Sequence, residues 1–523
     1  MTYLAYDIRG IQSFIFAVPR LRYIVGGSAL VDRFDHKTAR DIADECGATW
    51  IHSGGGKGAF YAVDESNAEQ LQSRLVEESR RIGLDLRIRR ATDFSDAANS
   101  VDRLFPYLPS GADLDGPPCP ESGLYPVRNA TQAHPVIRRR AFDRGDELRR
   151  RFEVRYLPDS SIHPALGGSC AFFGDVEDGS PGARALGSRN RWAVVCMDGN
   201  EIGRQFGHDS IKTLSADQRM AWIQRASQAL SDVTKHACSA GIAEVLRQWI
   251  ADLPADRQDL EDEDGALVLP LRPLVVGGDD LIVLCHASHA MTFVREVARV
   301  FGQHSRELAT AARKDGIELW PATGGELSIS AGVLFAPTGL PLASAIPYAE
   351  TLLAQAKQRG RAAGGGAGSR AVEACVDWES VTEGMLDHPA LRRARELVFL
   401  DGDDGGKTRV ELTRRPYTLD EFEDLERLAR DLFLEGRDRL PGSVAHDLLP
   451  GLRAGRHDRA LFYDRLGKNH PGLRAELLEP EAPGNRGHWN LESRDGTRVL
   501  RTNLIDAFLL AQESRRMSWE TAR

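Results

Sequence analysis

The chain has 523 residues, of which 42% are hydrophobic and 27% charged. At about 150 residues per domain there is room for roughly three to four domains, and the balance excludes a disordered, collagen-like or fibrous protein. The net charge of −9 excludes a protein that coats nucleic acid by bulk charge, so any such contact must come from local patches. The seven cysteines are scattered and odd in number, which gives no disulfide framework. Cys196 and Cys285 sit in apolar runs and read as buried thiols. No basic N-terminal stretch leads into an apolar one, and no apolar run approaches the about 20 residues of a membrane span. The reading is a cytoplasmic protein without a membrane partner.

The first hundred residues alternate strand and helix. Residues 3–8 form a short apolar strand carrying Asp7 near its end, and a helix is expected from Ser28 to about Cys46. Residues 49–63 read as a hairpin around Gly54-Gly55-Gly56, followed by a polar amphipathic helix over 65–82 and an alternating edge strand over 84–90. The order β-α-β-β-α-β is the ferredoxin-like arrangement. Between 101 and 188 the pattern breaks into Pro-, Gly- and Asp-rich stretches around one charged helix over 138–152.

From 189 the alternation returns with longer connections. An apolar strand over 192–197 ends in Asp198, a long helical region covers 218–253, and strands over 274–276 and 281–285 flank Gly277-Gly278-Asp279-Asp280. Helices over 289–313 and 342–359 and strands over 327–335 and 371–376 complete a second unit resembling the first. Gly364-Gly365-Gly366 reads as flexible linker. Beyond about 380 no strand is convincing, and helical periodicity appears over 419–434, 445–452, 459–466 and 504–515. The expected fold class is therefore α+β: two ferredoxin-like units over 1–100 and 189–378, an irregular insert over 101–188 and a helical end over 379–523.

Two adjacent carboxylates in a tight turn between buried strands are costly unless something neutralises them. Hard oxygen ligands suit Mg²⁺ or Mn²⁺. Asp198 ends the strand that neighbours this hairpin in a ferredoxin-like sheet, so Asp198, Asp279 and Asp280 should meet across one edge, as two-metal nucleotidyl transfer requires. Alone, the Gly-Gly-Asp-Asp turn reads equally as a polar hairpin; with Asp198 in place the metal reading is favoured. Backbone amides of the loop Asp198-Gly199-Asn200-Glu201-Ile202-Gly203 could face a triphosphate, and Gly277 and Gly278 let a phosphate approach the backbone, while Asp198 or Asn200 could equally cap a helix. Lys357 and Arg361 stand near a helix end, where they could meet a phosphate or simply complement the macrodipole. Gly26-Gly27-Ser28 reads either as a phosphate or base holder or as a tight turn and N-cap. The first unit lacks the paired carboxylates at its hairpin and reads as catalytically inactive. Cys119-Pro120-Glu121-Ser122-Gly123 has the outline of half a zinc knuckle, but no paired spacing completes it. His52, His208 and His286 read as structural.

Asp7-Ile8-Arg9-Gly10-Ile11-Gln12-Ser13-Phe14-Ile15-Phe16 with Gly26-Gly27-Ser28-Ala29-Leu30 resembles the first palm domain of the large, polymerase-like subunit of type III CRISPR complexes. Met197-Asp198-Gly199-Asn200-Glu201-Ile202-Gly203 with Gly277-Gly278-Asp279-Asp280 is similar to that family's second, active palm. Residues 119–123 resemble an eroded form of its zinc-binding insert, and the segment from Arg415 resembles its helical C-terminal domain. The resemblance implies two palm domains of the polymerase/cyclase kind, and condensation of ATP into cyclic oligoadenylate with Mg²⁺ or Mn²⁺ held by Asp198, Asp279 and Asp280. It also implies guide RNA and other type III subunits as partners. Zinc is not expected. The chain starts directly at the first palm, so the family's HD nuclease and its cleavage of single-stranded DNA are expected to be absent. Two other readings stay open: a GGDEF-type cyclase using GTP to make a cyclic dinucleotide, and a scaffold that binds nucleotide or RNA with a silent palm.

Overall fold

The computed structural model describes residues 2–16, 21–92, 170–173, 185, 191–251, 253, 260–261, 265–363, 372–382, 387–401, 407–434, 440, 442–453, 461–462, 464–465, 468, 489–494 and 497–514. The knuckle at 119–123, the helix expected over 138–152, the Gly364-Gly365-Gly366 run and half of the residues of the helix expected over 459–466 lie outside the described residues.

The first unit runs β1 (Thr2–Arg9), α1 (Ile11–Ile15), α2 (Leu21–Arg33), a π-helical turn (Phe34–Thr38), α3 (Ala39–Glu45), β2 (Ala48–Gly54), β3 (Lys57–Ala62), α4 (Glu65–Ile82) and β4 (Asp85–Ala91). Its antiparallel sheet has the order β2-β3-β1-β4, the expected ferredoxin-like one. Asp64 caps α4 by accepting from Asn67 N at 2.7 Å, and Gly83 ends it with φ 85°. Gly26-Gly27-Ser28 is neither a turn nor a cap, because α2 begins earlier and runs through it. A Cβ on Gly27 would lie 3.2 Å from the Ile15 Cα, so the glycine serves close packing of α2 on α1.

The second unit runs β5 (Cys170–Phe172), β6 (Arg191–Gly199), α5 (Ile202–Phe206), α6 (Asp209–Lys212), α7 (Ala216–Ala251), β7 (Leu267–Leu269), β8 (Leu271–Gly277), β9 (Asp280–His286), α8 (Ala290–Lys314), β10 (Ile329–Pro337), α9 (Leu342–Ala363) and β11 (Cys375–Ser380). The nearly continuous apolar runs of β6, β9 and β10 are those of strands covered on both faces. In the main sheet β6 lies between β9 and β10, antiparallel to both, with β8 outermost beyond β9 and β11 parallel to β10. The apolar cores are continuous between the units: Leu4, Phe34 and Phe60 of the first pack in one cluster with Trp192, Val194 and Ile282 of the second.

The last segment corrects the helical expectation. Helices α10 (Pro389–Glu396), α11 (Leu419–Ala429), α12 (Gly442–Arg453) and α13 (Leu504–Glu513) accompany strands β12 (Val398–Leu400), β13 (Thr408–Glu411), β14 (Tyr417–Thr418), β15 (Trp489–Arg494) and β16 (Thr497–Thr502). Four of these strands form a sheet of order β12-β13-β16-β15, and β14 extends the main sheet beyond β11. The six described cysteines are free, with Cys196 and Cys285 buried as expected. Among the described residues no helix is long and apolar enough to cross a membrane.

Candidate functional site

The register of β6 on β9 sets Asp198 opposite Asp280. Gly277 pairs with Asp280, which leaves Gly278 and Asp279 as a two-residue turn. Gly278 has φ 60°, a conformation glycine adopts without steric penalty. The Gly199 N–H donates to the Asp279 carbonyl at 3.3 Å, tying the end of β6 to that turn. A Cβ on Gly199 would lie 2.6 Å from Ile202 Cγ1 and 3.0 Å from the Asp279 Cβ, so only glycine admits this approach. The three carboxylates meet at one sheet edge, Asp280 in register with Asp198 and Asp279 one residue before it.

Their proximity shows in their acidity. Asp279 is half-buried, and its carboxyl is held well above the usual range by desolvation and then by the charges of Asp198 and Asp280. Asp280 keeps solvent contact. Its carboxyl is raised by desolvation and then by the charge of Asp198, with Lys357 opposing. The Lys357 ammonium donates to Asp198 Oδ2 and, at 2.9 Å, to the Gly199 carbonyl. Lys357 shares one face of α9 with Glu350, Leu353 and Ala354, the i, i+3, i+4, i+7 stripe of a helix, and all four line a cleft of about 360 Å³. Glu350 accepts from Gln12 Nε2 of the first unit at 2.5 Å.

The opposite wall of the cleft comes from the first unit: Gln12, Ser28, Asp32, Asp35, His36, Gly55 and Gly56. The Gly55-Gly56 turn, with φ of 61° and 79°, faces the Gly278 turn so closely that a Cβ on Gly278 would sit 3.8 Å from the Gly55 Cα. Asp7 stays apart from this chemistry, paired with Arg9 at 2.5 Å.

The Asn200 N–H donates to the Ser328 carbonyl at 2.8 Å. Its side chain is buried, donates to Ser328 Oγ at 2.9 Å and the Glu373 carbonyl at 3.4 Å, and accepts from Ser330 Oγ at 3.0 Å. It braces the loop after β6 against β10 and the segment before β11. Neither Asp198 nor Asn200 caps the next helix: Glu201 holds the cap position of α5 with φ 57° and no side-chain bond. Arg361 is exposed and pairs with Glu201 at 3.0 Å. Burial holds His52 down at about 4, while His208 and His286 accept the N–H two residues on, at 3.3 and 3.2 Å; all three are structural.

The cleft walls carry Asp32, Asp35, Asp198, Asp280 and Glu350 against Lys357 and His36. Such an excess of hard oxygen donors repels a free polyphosphate and suits a divalent cation. Among the described residues, no group of three or more His, Cys, Asp or Glu side chains is arranged to hold a metal ion; at Asp198 the Lys357 ammonium stands in contact instead. The donor set fits Mg²⁺ or Mn²⁺ in kind, with Asp198, Asp279 and Asp280 as the residues that would hold it.

Residues 191–363 match the family model described as Cas10/Cmr2, second palm domain. The chain resembles the large subunit of type III CRISPR complexes. No curated protein matches it. Among solved structures, the apo Csm1–Csm4 cassette is similar at 15% identity and TM-score 0.54, over 98% of this chain and 70% of that one. The same cassette in complex with cA4 matches at 14% identity and TM-score 0.52, and Csm1 from T. onnurineus at 15% and 0.52, both with the same shares of each chain. At this identity the likeness establishes the fold: a Csm1-like arrangement carrying a Cas10/Cmr2-type palm at 191–363.

Proposed function

We propose that the cleft between the two units binds nucleoside triphosphate and that the chain joins ATP into a cyclic oligoadenylate, as the large subunit of a type III CRISPR complex. The observation that carries this reading is the meeting of Asp198, Asp279 and Asp280 at one sheet edge, with Asp198 and Asp280 lining a cleft whose far wall is the glycine turn of the first unit. Csm1–Csm4 cassettes of the same fold are described in complex with one ATP, cA3 and cA4. The domain division into two palms, insert and C-terminal unit is part of the same proposal.

In each joining step the 3′-oxygen of one nucleotide forms a bond to the α-phosphorus of the next. The bond to pyrophosphate breaks, and the hydroxyl proton is released. A bound Mg²⁺ or Mn²⁺ supplies charge neutralisation and a more acidic hydroxyl. The chain's own residues contribute the rest. Asp198, Asp279 and Asp280 concentrate negative charge where cations must sit. Gly199 lets the turn close on β6, and the backbone at Gly277 lines the cleft without a side chain in the way. Lys357, in contact with Asp198 and with the Gly199 carbonyl, places its ammonium where it would meet a phosphate oxygen at the same edge.

The test incubates the purified chain with labelled ATP and GTP plus Mn²⁺, with and without RNA, and identifies products by mass spectrometry. The expected result is a cyclic oligoadenylate from ATP, lost in the Asp279→Ala/Asp280→Ala double variant. No product under any condition sinks the proposal, a GTP-only product replaces it with the cyclic dinucleotide reading, and an equally active double variant means the wrong residues. Gly199→Ala is expected to lower product formation at least about tenfold and stability by about 1–3 kcal/mol, because its Cβ must displace Ile202 or Asp279. Turnover beside urea unfolding checks this, and wild-type turnover would show that the close approach is dispensable.

A further inference from the structure

Asp35 is an unusual residue for its place. It lies in the π-helical turn after α2, is 2% exposed, and belongs to the first unit, which carries no catalytic carboxylates in the reading above. Its Oδ2 accepts the Gly56 N–H at 2.6 Å, and its Oδ1 accepts the Tyr6 hydroxyl at 2.8 Å. Its own carbonyl accepts Ser53 Oγ at 2.6 Å. Gly56 is further tied to β1, where the Ile8 N–H donates to its carbonyl at 2.7 Å.

These bonds converge on one element, the Gly55-Gly56 turn that faces Gly278 across the cleft. A buried carboxylate is destabilising unless its hydrogen bonds compensate it. π-turns within helices are frequently found at functional sites. An apolar residue would fill this space at lower cost, but it could not hold a turn N–H from outside the hairpin.

We infer that Asp35 is a positioning residue: its carboxylate sets the first unit's Gly55-Gly56 turn at the distance from the Gly278 turn that a bound nucleotide needs. The inference rests on the nucleotide reading proposed above. Desolvation raises this carboxyl to about 7, against the hydrogen bonds from Tyr6 and Gly56.

The test compares wild type, Asp35→Ala and Asp35→Asn in the full chain. Hydrogen exchange of peptides spanning residues 52–60 reads the turn, and calorimetric titration with AMPPNP plus Mn²⁺ reads the cleft. Asp35→Ala is expected to speed exchange of the turn and weaken AMPPNP binding by about tenfold or more, while peptides of β6 and α9 stay protected. Asp35→Asn keeps an acceptor for Gly56 and is expected to restore both readouts to within about threefold of wild type. A loosened turn with unchanged AMPPNP affinity overturns the positioning role and leaves the nucleotide reading intact. Unchanged exchange in Asp35→Ala overturns the structural claim itself. A wild-type chain that binds no AMPPNP overturns both readings. If Asp35→Ala does not fold, Tyr6→Phe takes its place. It removes one of the two bonds to the carboxylate while keeping the ring between Phe34 and Phe60, and it should weaken binding about threefold. An unaltered Tyr6→Phe then overturns the inference.

Discussion

Lys357→Met is expected to tighten Mn²⁺ binding while lowering ATP turnover, two effects of opposite sign from one substitution. The ammonium contacts Asp198 Oδ2 and the Gly199 carbonyl, with the lysine and aspartate side chains 17% and 29% exposed. Removing it uncovers one negative charge at an edge already crowded by Asp279 and Asp280. Partial solvent screening reduces the bare Coulomb gain, so Mn²⁺ affinity should rise by about threefold to tenfold. Turnover should fall about a hundredfold, because a preorganised cation aimed at a developing phosphate charge is lost. Titration calorimetry with Mn²⁺ and product quantification on the same protein separate the roles. Tighter Mn²⁺ with intact turnover would reduce Lys357 to a placeholder for the metal. Unchanged Mn²⁺ affinity would show that the divalent site does not involve Asp198.

Much of this site was legible in the residue order because it depends on local pattern. An apolar run ending in Asp198 and another following Asp279-Asp280 marked β6 and β9, and a two-residue glycine-containing turn could only be a hairpin, so the meeting of Asp198 with Asp279 and Asp280 followed from ferredoxin-like connectivity. The stripe from Glu350 to Lys357 was also readable, since i, i+3, i+4 and i+7 share a helix face, but Glu350 carries no motif that would single it out. Asp35 had no signal at all: between Phe34 and His36 it reads as one more polar residue of a helix, and only the tertiary bond to Gly56 reveals it. The C-terminal sheet was hidden for another reason. Strands such as β13 and β15 are short and rich in charge, and β13 pairs in parallel with β16 from far along the chain. Such pairing leaves no local periodicity. Asn200 had no signal for its structural part either: it stands beside Asp198 in the sequence, and its side-chain partners Ser328, Ser330 and Glu373 come from far along the chain.

Arg415→Met is expected to destabilise the C-terminal segment by about 3–5 kcal/mol, the usual result of removing one partner from a buried ionic group. Arg415 and Asp506 are fully buried, with Nε 2.9 Å from Oδ1. The same guanidinium reaches Glu379 at 3.0 Å and the Trp378 carbonyl at 2.7 Å, and Arg393 joins Glu379 to Asp377. The network fastens β11 of the main sheet to α10 and α13. Asp506 would retain the Thr413 and Tyr417 hydroxyls and the Arg414 N–H, so adding Asp506→Asn to Arg415→Met should recover part of the loss, a coupling that a double-mutant cycle measures. Simple additivity would mean that the pair contributes nothing of its own. Turnover should change far less than stability. Helix α13 reaches the second unit again through Glu513, which pairs with Arg191 at 2.6 Å, but Arg191 is the first residue of β6 and Asp198 lies near its other end. Between them the strand is clamped on both sides by β9 and β10, so loosening α13 should free the far end of β6 while the carboxylates stay in register. A turnover loss as large as that of Asp279→Ala/Asp280→Ala would show instead that the C-terminal helix controls the site.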